Sequence, residues 1–353
     1  MRVLDLRGLP LWLQFAVFVL AAAVVWIAAV RASRYAGAIS RKTRLGQGFV
    51  GMVLLAVATS LPELGATATA SVTGNAPLAA NNLLGGVAFQ TTVLAIADAA
   101  SRRRLTAEAR GPSPLMQGAA LVLVLSLVLA GISVGGGPAL AGASVWTIAL
   151  AVAYLVSAVI VRRETASRLP AAGDTPGPRP EGSLSERSGE VSRYGDTAIS
   201  ALAFRFGVAA TIILLAGSAL ARTAEAIADG TGLGAGFVGA TLLALATSLP
   251  EVGSTVEAAR QGLETMAIGN VLGSNAMDVF LLFVADMLFS GGPILGRIGA
   301  GSAFLAAVAI SLTAVYLFGL LLRRTGTVGR VGVDSIVVAA LYVTTVVVLY
   351  VIR

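Results

Sequence analysis

The chain has 353 residues, of which 56% are hydrophobic and only 12% charged; soluble domains carry roughly 25% charged residues. With no cysteine and no histidine, disulfides, zinc sites, Cys or His nucleophiles and imidazole proton relays are excluded. The net charge of +7 comes from arginines spread through an apolar chain, with no soluble basic module, so it orients a membrane protein and does not point to nucleic acid.

Apolar stretches of 20 or more residues read as transmembrane helices. In chain order the spans fall at roughly 11–31, 48–72, 76–98, 115–135, 141–161, 197–221, 236–259, 264–288, 294–322 and 333–352. The first, Leu11 to Val30, is too long for a typical signal-peptide core and stays a helix. Between spans one and two lie Arg31, Arg34, Arg41, Lys42 and Arg44; further basic groups follow spans three, five, seven and nine. If ten spans alternate, nineteen of the 25 basic residues share one side, and the positive-inside rule then puts both termini outside the cytoplasm. A prokaryotic inner membrane is the expected location. Arg205 alone falls within a span, where snorkelling explains it. Residues 164–195, rich in Pro, Gly, Ser and charge, read as a flexible cytoplasmic linker. They divide the chain into a first unit, 1–163, and a second, 196–353.

The two units repeat. Leu45 to Gly65 reads LGQGFVGMVLLAVATSLPELG and Leu233 to Gly253 reads LGAGFVGATLLALATSLPEVG, sixteen of twenty-one positions identical at an offset of 188. The same offset pairs Arg34 with Arg222 and Asp98 with Asp286. Five spans per unit is an odd number, so the second copy enters from the opposite side. Inverted repeats in a membrane signal alternating access around a midplane site. The expected fold is therefore all-α and polytopic, with ten helices in two inverted five-helix repeats.

Glu63 and Glu251 sit mid-span in Ala-Thr-Ser-Leu-Pro-Glu. A charge at the bilayer centre costs roughly 2.5–3.5 kcal/mol on insertion scales and needs a partner or a cavity. Pro62 and Pro250 lack amide hydrogens and leave the carbonyls of Ala58 and Ala246 without helical partners. Thr59, Ser60, Thr247 and Ser248 add hydroxyls beside the break. With no nitrogen or sulfur ligand available, this cluster of oxygens suits a hard cation such as calcium, sodium, magnesium or manganese. The following helix of the second copy runs Gly269-Asn270-Val271-Leu272-Gly273-Ser274-Asn275-Ala276-Met277-Asp278. Gly269 and Gly273 allow close helix packing, and Ser274 and Asp278, four apart, share one face. Asp98 and Asp286, at span ends, read as interfacial and not as ligands.

The paired SLPE motifs and GNVLGSNAMD resemble the calcium/cation antiporter superfamily, the sodium/calcium exchanger branch in particular. The resemblance implies a site made by spans two, three, seven and eight, with the first and sixth helices moving against the rest. It implies that Glu63 and Glu251 bind calcium and sodium, helped by Thr59, Ser60, Thr247 and Ser248, and that Ser274 and Asp278 contribute from the second copy. The first copy departs from the pattern. Gly86 stands for a serine, Val87 for an asparagine, and Gln90 for a shorter Asn or Asp, which puts the sodium stoichiometry in question.

The leading expectation is a secondary antiporter that exchanges calcium, or a similar divalent, for sodium, with the ions and the lipid bilayer as its partners and no cofactor. Proton-coupled exchange of calcium or another divalent cation is the rival, since crowded carboxylates can carry a proton without histidine. A non-transporting relative with a degenerate site is a third reading. No nucleophile with a base and no HExxH occurs, so an enzyme is not expected.

Overall fold

The computed structural model describes residues 6–43, 49–101, 104–109, 111–140, 142–167, 194, 197–322, 327–328 and 331–352. The linker expected at 164–195 lies almost wholly outside the described residues. Apolar composition forces the backbone to satisfy its own hydrogen bonds, and the chain responds with helices. They are α1 (Leu11–Thr43), α2 (Phe49–Val72), α3 (Ala76–Ala100), α4 (Ser113–Ser133) and α5 (Val145–Ser167). After the linker come α6 (Ile199–Thr231), the two-part α7 (Ala235–Thr247 and Leu249–Arg260), α8 (Glu264–Leu288), α9 (Ala300–Leu322) and α10 (Val333–Ile352). Among the described residues, eight helices are long and apolar enough to cross a membrane, or nine if the bent α7 counts as one span. The protein is an all-α integral membrane protein.

α1 and α6, at 33 residues each, outrun the spans read from hydropathy. At 1.5 Å per residue each is about 50 Å long, against a hydrocarbon thickness of about 30 Å. Hydropathy stopped at the arginines, but the helix goes on beyond Arg31, where Ala32, Ala36 and Ala38 are buried. Alanine is the strongest helix former and lets helices approach closely. The two long helices run antiparallel. Lys42 near the end of α1 donates to the Thr197 carbonyl just before α6 (2.6 Å), and Arg7, ahead of α1, pairs with Glu225 and Asp229 near the end of α6 (3.1 Å each).

The 188-residue offset reappears in the architecture. Shifted by it, Leu11–Thr43 becomes Ile199–Thr231 and Ala76–Ala100 becomes Glu264–Leu288. Two small hairpins obey it as well. Ala139–Leu140 pairs with Ala143–Ser144, and Thr327–Val328 pairs with Val331–Gly332.

Asp98 and Asp286, at the ends of α3 and α8, are buried inside the protein, at 3% and 1% exposure. Each ties its own unit to the other. Asp98 accepts from the Gly332 amide (2.9 Å) and the Ser335 hydroxyl (3.0 Å), as well as from the Leu105 amide (2.9 Å). Asp286 accepts from the Ser144 amide and the Thr147 hydroxyl (2.6 Å each), and from the Ile294 amide (2.6 Å). The partners Ser144 and Thr147 are the offset equivalents of Gly332 and Ser335, so the two clips are reciprocal. Hydropathy counting missed them because a carboxylate satisfied by backbone amides can sit at the end of a span without facing water. Asp98→Ala and Asp286→Ala each leave two buried amides unpartnered. A loss of about 3 kcal/mol is expected for each, read as similar drops in melting temperature in detergent.

Small residues set the packing, since lipid supplies no hydrophobic drive between helices. A Cβ on Gly85 of α3 would fall on the backbone of Ala240 in α7, and one on Gly239 would lie 2.9 Å from the Leu78 carbonyl of α3. Gly65 of α2 and Gly217 of α6 pack as tightly, each against the other helix's backbone, at 2.9 Å from the Leu214 and Pro62 carbonyls. The broken turn of α7 is thereby pressed onto α3, and α2 onto α6.

Candidate cation site

The proline motifs behave differently in the two halves. α2 continues as an α-helix through Pro62. In α7 the chain passes through a π-helical turn at Gly239–Leu243, then breaks at Ser248, and its two parts meet at 53°. Leu249–Arg260 starts afresh with Pro250 in its first turn, where a missing amide hydrogen costs nothing. The break expected at both prolines is therefore present as an interruption only in the second copy.

Both glutamates are buried, Glu63 at 1% and Glu251 at 2% exposure. Each is touched by a hydroxyl of the opposite half. Ser248 donates to Glu63 Oε1 (3.3 Å), and the Thr59 hydroxyl pairs with Glu251. The second oxygens, Glu63 Oε2 and Glu251 Oε2, are buried with no hydrogen-bond partner. Two carboxylate oxygens without partners in a low-dielectric interior are costly unless a cation or water satisfies them. Glu63 lies within electrostatic reach of both Glu251 and Asp278. Thr59, Ser60, Thr247 and Ser248 are all buried on the turns that precede the glutamates. Thr247 donates back to the Leu243 and Ala244 carbonyls (3.2 and 3.3 Å) and is 3.4 Å from Asn82 Oδ1.

Gln90 is the hub of the second cluster. Its amide nitrogen donates to Asp278 Oδ2 (2.9 Å) and to the Ser248 hydroxyl (3.0 Å), and its oxygen accepts from Ser274 (2.7 Å). Gln90 and Asp278 are offset equivalents, so the units meet here residue on residue. The longer side chain lets Gln90 span to Asp278, and it supplies the donor that a buried carboxylate needs. A Cβ on Gly86 would come within 3.4 Å of Asp278 Oδ2 and 3.6 Å of the Ser248 hydroxyl. Gly86 thus borders the same cluster. Among the described residues no three acidic, His or Cys side chains are arranged to hold a metal by themselves. An ion here would rely on two glutamates plus hydroxyl and carbonyl oxygens, with Asp278 already held by an amide.

Sequence reading passed over one further pair. Asn82 donates to Thr67 (3.1 Å), and its equivalent Asn270 donates to Thr255 (3.0 Å). These bonds tie the helix after each SLPE motif back to the motif's own helix. The identity of both residues at the offset was the signal available. Asn275 adds a link across the halves, donating to Thr91 (3.0 Å).

The sequence model for the sodium/calcium exchanger protein family matches this chain twice, over residues 13–163 and 201–351. The chain belongs to the sodium/calcium exchanger family. The two matches are separated by the same 188-residue offset, so each half carries the family unit. Among relatives of this exchanger-family protein, the sodium/calcium exchanger MaX1 of Methanosarcina acetivorans is 52% identical over 52 residues, a stretch that covers 15% of each chain. The putative antiporter CaxA of Alkalimonas amylolytica is 24% identical over 300 residues, covering 84% of this chain and 86% of that one. The inner membrane protein YrbG of Escherichia coli is 24% identical over 245 residues, covering 69% and 70%. Two solved structures share the fold. Native YfkE superposes with a TM-score of 0.62 at 13% identity over 95% of this chain and 92% of that one. The sodium-calcium exchanger NCX_Mj superposes with a TM-score of 0.56 at 20% identity over 95% and 98%. The resemblance read from the SLPE motifs thus holds at the level of the family, and cation exchange is the family's activity.

Proposed function

We propose that this exchanger moves calcium, or a similar divalent cation, against sodium by alternating access at a midplane site. The reading rests on one observation above the others: two buried glutamates from equivalent positions of the two halves each keep one oxygen without a partner. Glu63 and Glu251 hold the ion, Thr59, Ser60, Thr247 and Ser248 complete its oxygen shell, and Asp278 with Ser274 and Gln90 borders it. A divalent ion and sodium compete for the same carboxylates, which couples the two fluxes without ATP. The architecture is read as ten spans in two inverted five-helix units, with α2 completing the set, both termini outside the cytoplasm and the inner membrane as the location. The antiparallel course of α1 and α6 supports the inversion. The intact α2 and broken α7 support one of two states of a symmetric machine, since exchanging their shapes would open the site to the other side.

The test is calcium uptake into proteoliposomes. An outward sodium gradient is expected to drive uptake, and a pH gradient with no sodium is expected to drive none. Calcium flux indifferent to sodium would end this reading.

A second reading, divalent exchange coupled to protons, is favoured by the Gly86 and Gln90 cluster. The amide of Gln90 occupies Asp278 and Gly86 offers no hydroxyl, so fewer oxygens remain for sodium. The two readings part at Gly86→Ser. The contacts around Gly86 leave room for a Cβ, and the added hydroxyl would lie beside Asp278 and Ser248. If sodium is the coupling ion, one more ligand is expected to lower the sodium concentration for half-maximal exchange roughly fivefold. If protons are, sodium dependence stays absent in the variant.

A further inference from the structure

Between α1 and α6, away from the glutamates, lies a groove of about 410 Å³. Val24, Ile27, Val208 and Ile212 line most of its length, and Arg31, Arg205 and Tyr35 gather in its lining as well. Among the described residues, none that lines it is acidic. Both arginines are exposed, and among the described residues neither has a carboxylate partner. Ile27 and Val208, at 54% and 44% exposure, face outward, into hydrocarbon for a chain that spans a membrane.

The level of the arginines is set by the helix. Arg31 lies twenty residues beyond Leu11, about 30 Å along the helix, which is the thickness of the hydrocarbon layer. Arg31 therefore reaches the headgroup level when Leu11 lies at the opposite face. Arg205 belongs to the same end, because α6 runs antiparallel to α1 and begins beside Lys42. Under the orientation proposed above, this end is cytoplasmic. Snorkelling accounts for one arginine rising to an interface. It does not account for two guanidiniums on different helices that share one apolar groove with no carboxylate partner among the described residues.

We propose that this groove binds an anionic phospholipid, its phosphate between Arg31 and Arg205 and one acyl chain along α1 and α6. Guanidinium groups match phosphate in shape and charge, and basic pockets between membrane helices at the cytoplasmic face take such headgroups. The proposal needs the chain to span a membrane. It does not depend on which ion is exchanged, so its test reads lipid and not transport.

The full-length protein is reconstituted with equal phosphatidylglycerol and phosphatidylcholine of the same acyl chains, extracted gently, and its retained lipid weighed by native mass spectrometry. Wild type is expected to retain phosphatidylglycerol with roughly tenfold preference. Arg31→Gln with Arg205→Gln is expected to abolish the preference. The charge-matched control, Arg163→Gln with Arg260→Gln, replaces two exposed arginines outside the groove and is expected to keep it. Val208→Trp fills the acyl track, leaves both arginines, and is expected to lose the lipid too. Retention unchanged in the Arg31/Arg205 variant would overturn the proposal. So would displacement of the lipid by inorganic phosphate at millimolar concentration, or a lipid-free dimer whose formation depends on these arginines, which would make a second copy the occupant.

Discussion

Glu251→Gln is expected to reduce sodium-driven calcium uptake to the level of empty vesicles, and Glu63→Gln to do the same. The amide keeps the shape and removes the charge. Two unit charges 4 Å apart interact by about 4 kcal/mol at an effective dielectric of 20, and calcium carries two charges. A loss on the order of 100-fold or more in calcium affinity is therefore expected for either variant. Both proteins should still fold. Each glutamine removes a buried carboxylate whose second oxygen has no partner, so melting temperature in the absence of ions should hold or rise. An unstable variant with residual exchange would mean that the glutamates are there for packing and not for ions.

The second large effect concerns a residue that touches no ion. Gly85→Val is expected to collapse the protein or lower its stability by about 3 kcal/mol, at the upper end of the cost of overpacking. The new Cβ would overlap the carbonyl, and lie 2.6 Å from the Cα, of Ala240. Both contacts are backbone, so no rotamer change relieves them. Ala240 belongs to the π turn that leads into Ser248 and Glu251. Any variant that survives should therefore lose transport with its glutamates intact. Gly86→Ala, one residue on, is the contrast. Its nearest neighbour would be Asp278 Oδ2 at 3.4 Å, an ordinary contact, and melting close to wild type is expected. Equal melting curves for the two variants in a detergent unfolding series would refute the close approach of α3 to α7.

Much of this was legible in the sequence because a membrane simplifies the problem. Helix is almost the only backbone solution in lipid, so apolar length locates most spans to within a few residues. The gapless repeat of LGxGFVG and SLPE carried the family unit, and the family match falls on both copies. The ends of α1 and α6 were not legible, since arginine closes a hydropathy window but does not end a helix. Nor was the difference between Pro62 and Pro250. The same six residues, Ala-Thr-Ser-Leu-Pro-Glu, stay helical in one half and break in the other, so the neighbours decide and the local chemistry does not. The roles of Asp98 and Asp286 were hidden for a related reason. Among their partners are backbone amides in the opposite half, those of Ser144 and Gly332, at separations of 142 and 234 residues. Composition carries no trace of such pairs. Gln90 was visible as a departure from the family pattern, but its bond to its own counterpart, Asp278, required the two units to be seen together.

In the proposed mechanism Glu63 and Glu251 share a single ion. Calorimetric titration of calcium into the purified protein in sodium-free buffer tests it most directly, with wild type, Glu63→Gln, Glu251→Gln and the double variant side by side. One site per chain is expected for wild type, and no binding for either single variant or for the double. A single variant that titrates as wild type does, or two single variants whose losses simply add, would contradict it, because then each glutamate would be serving a place of its own.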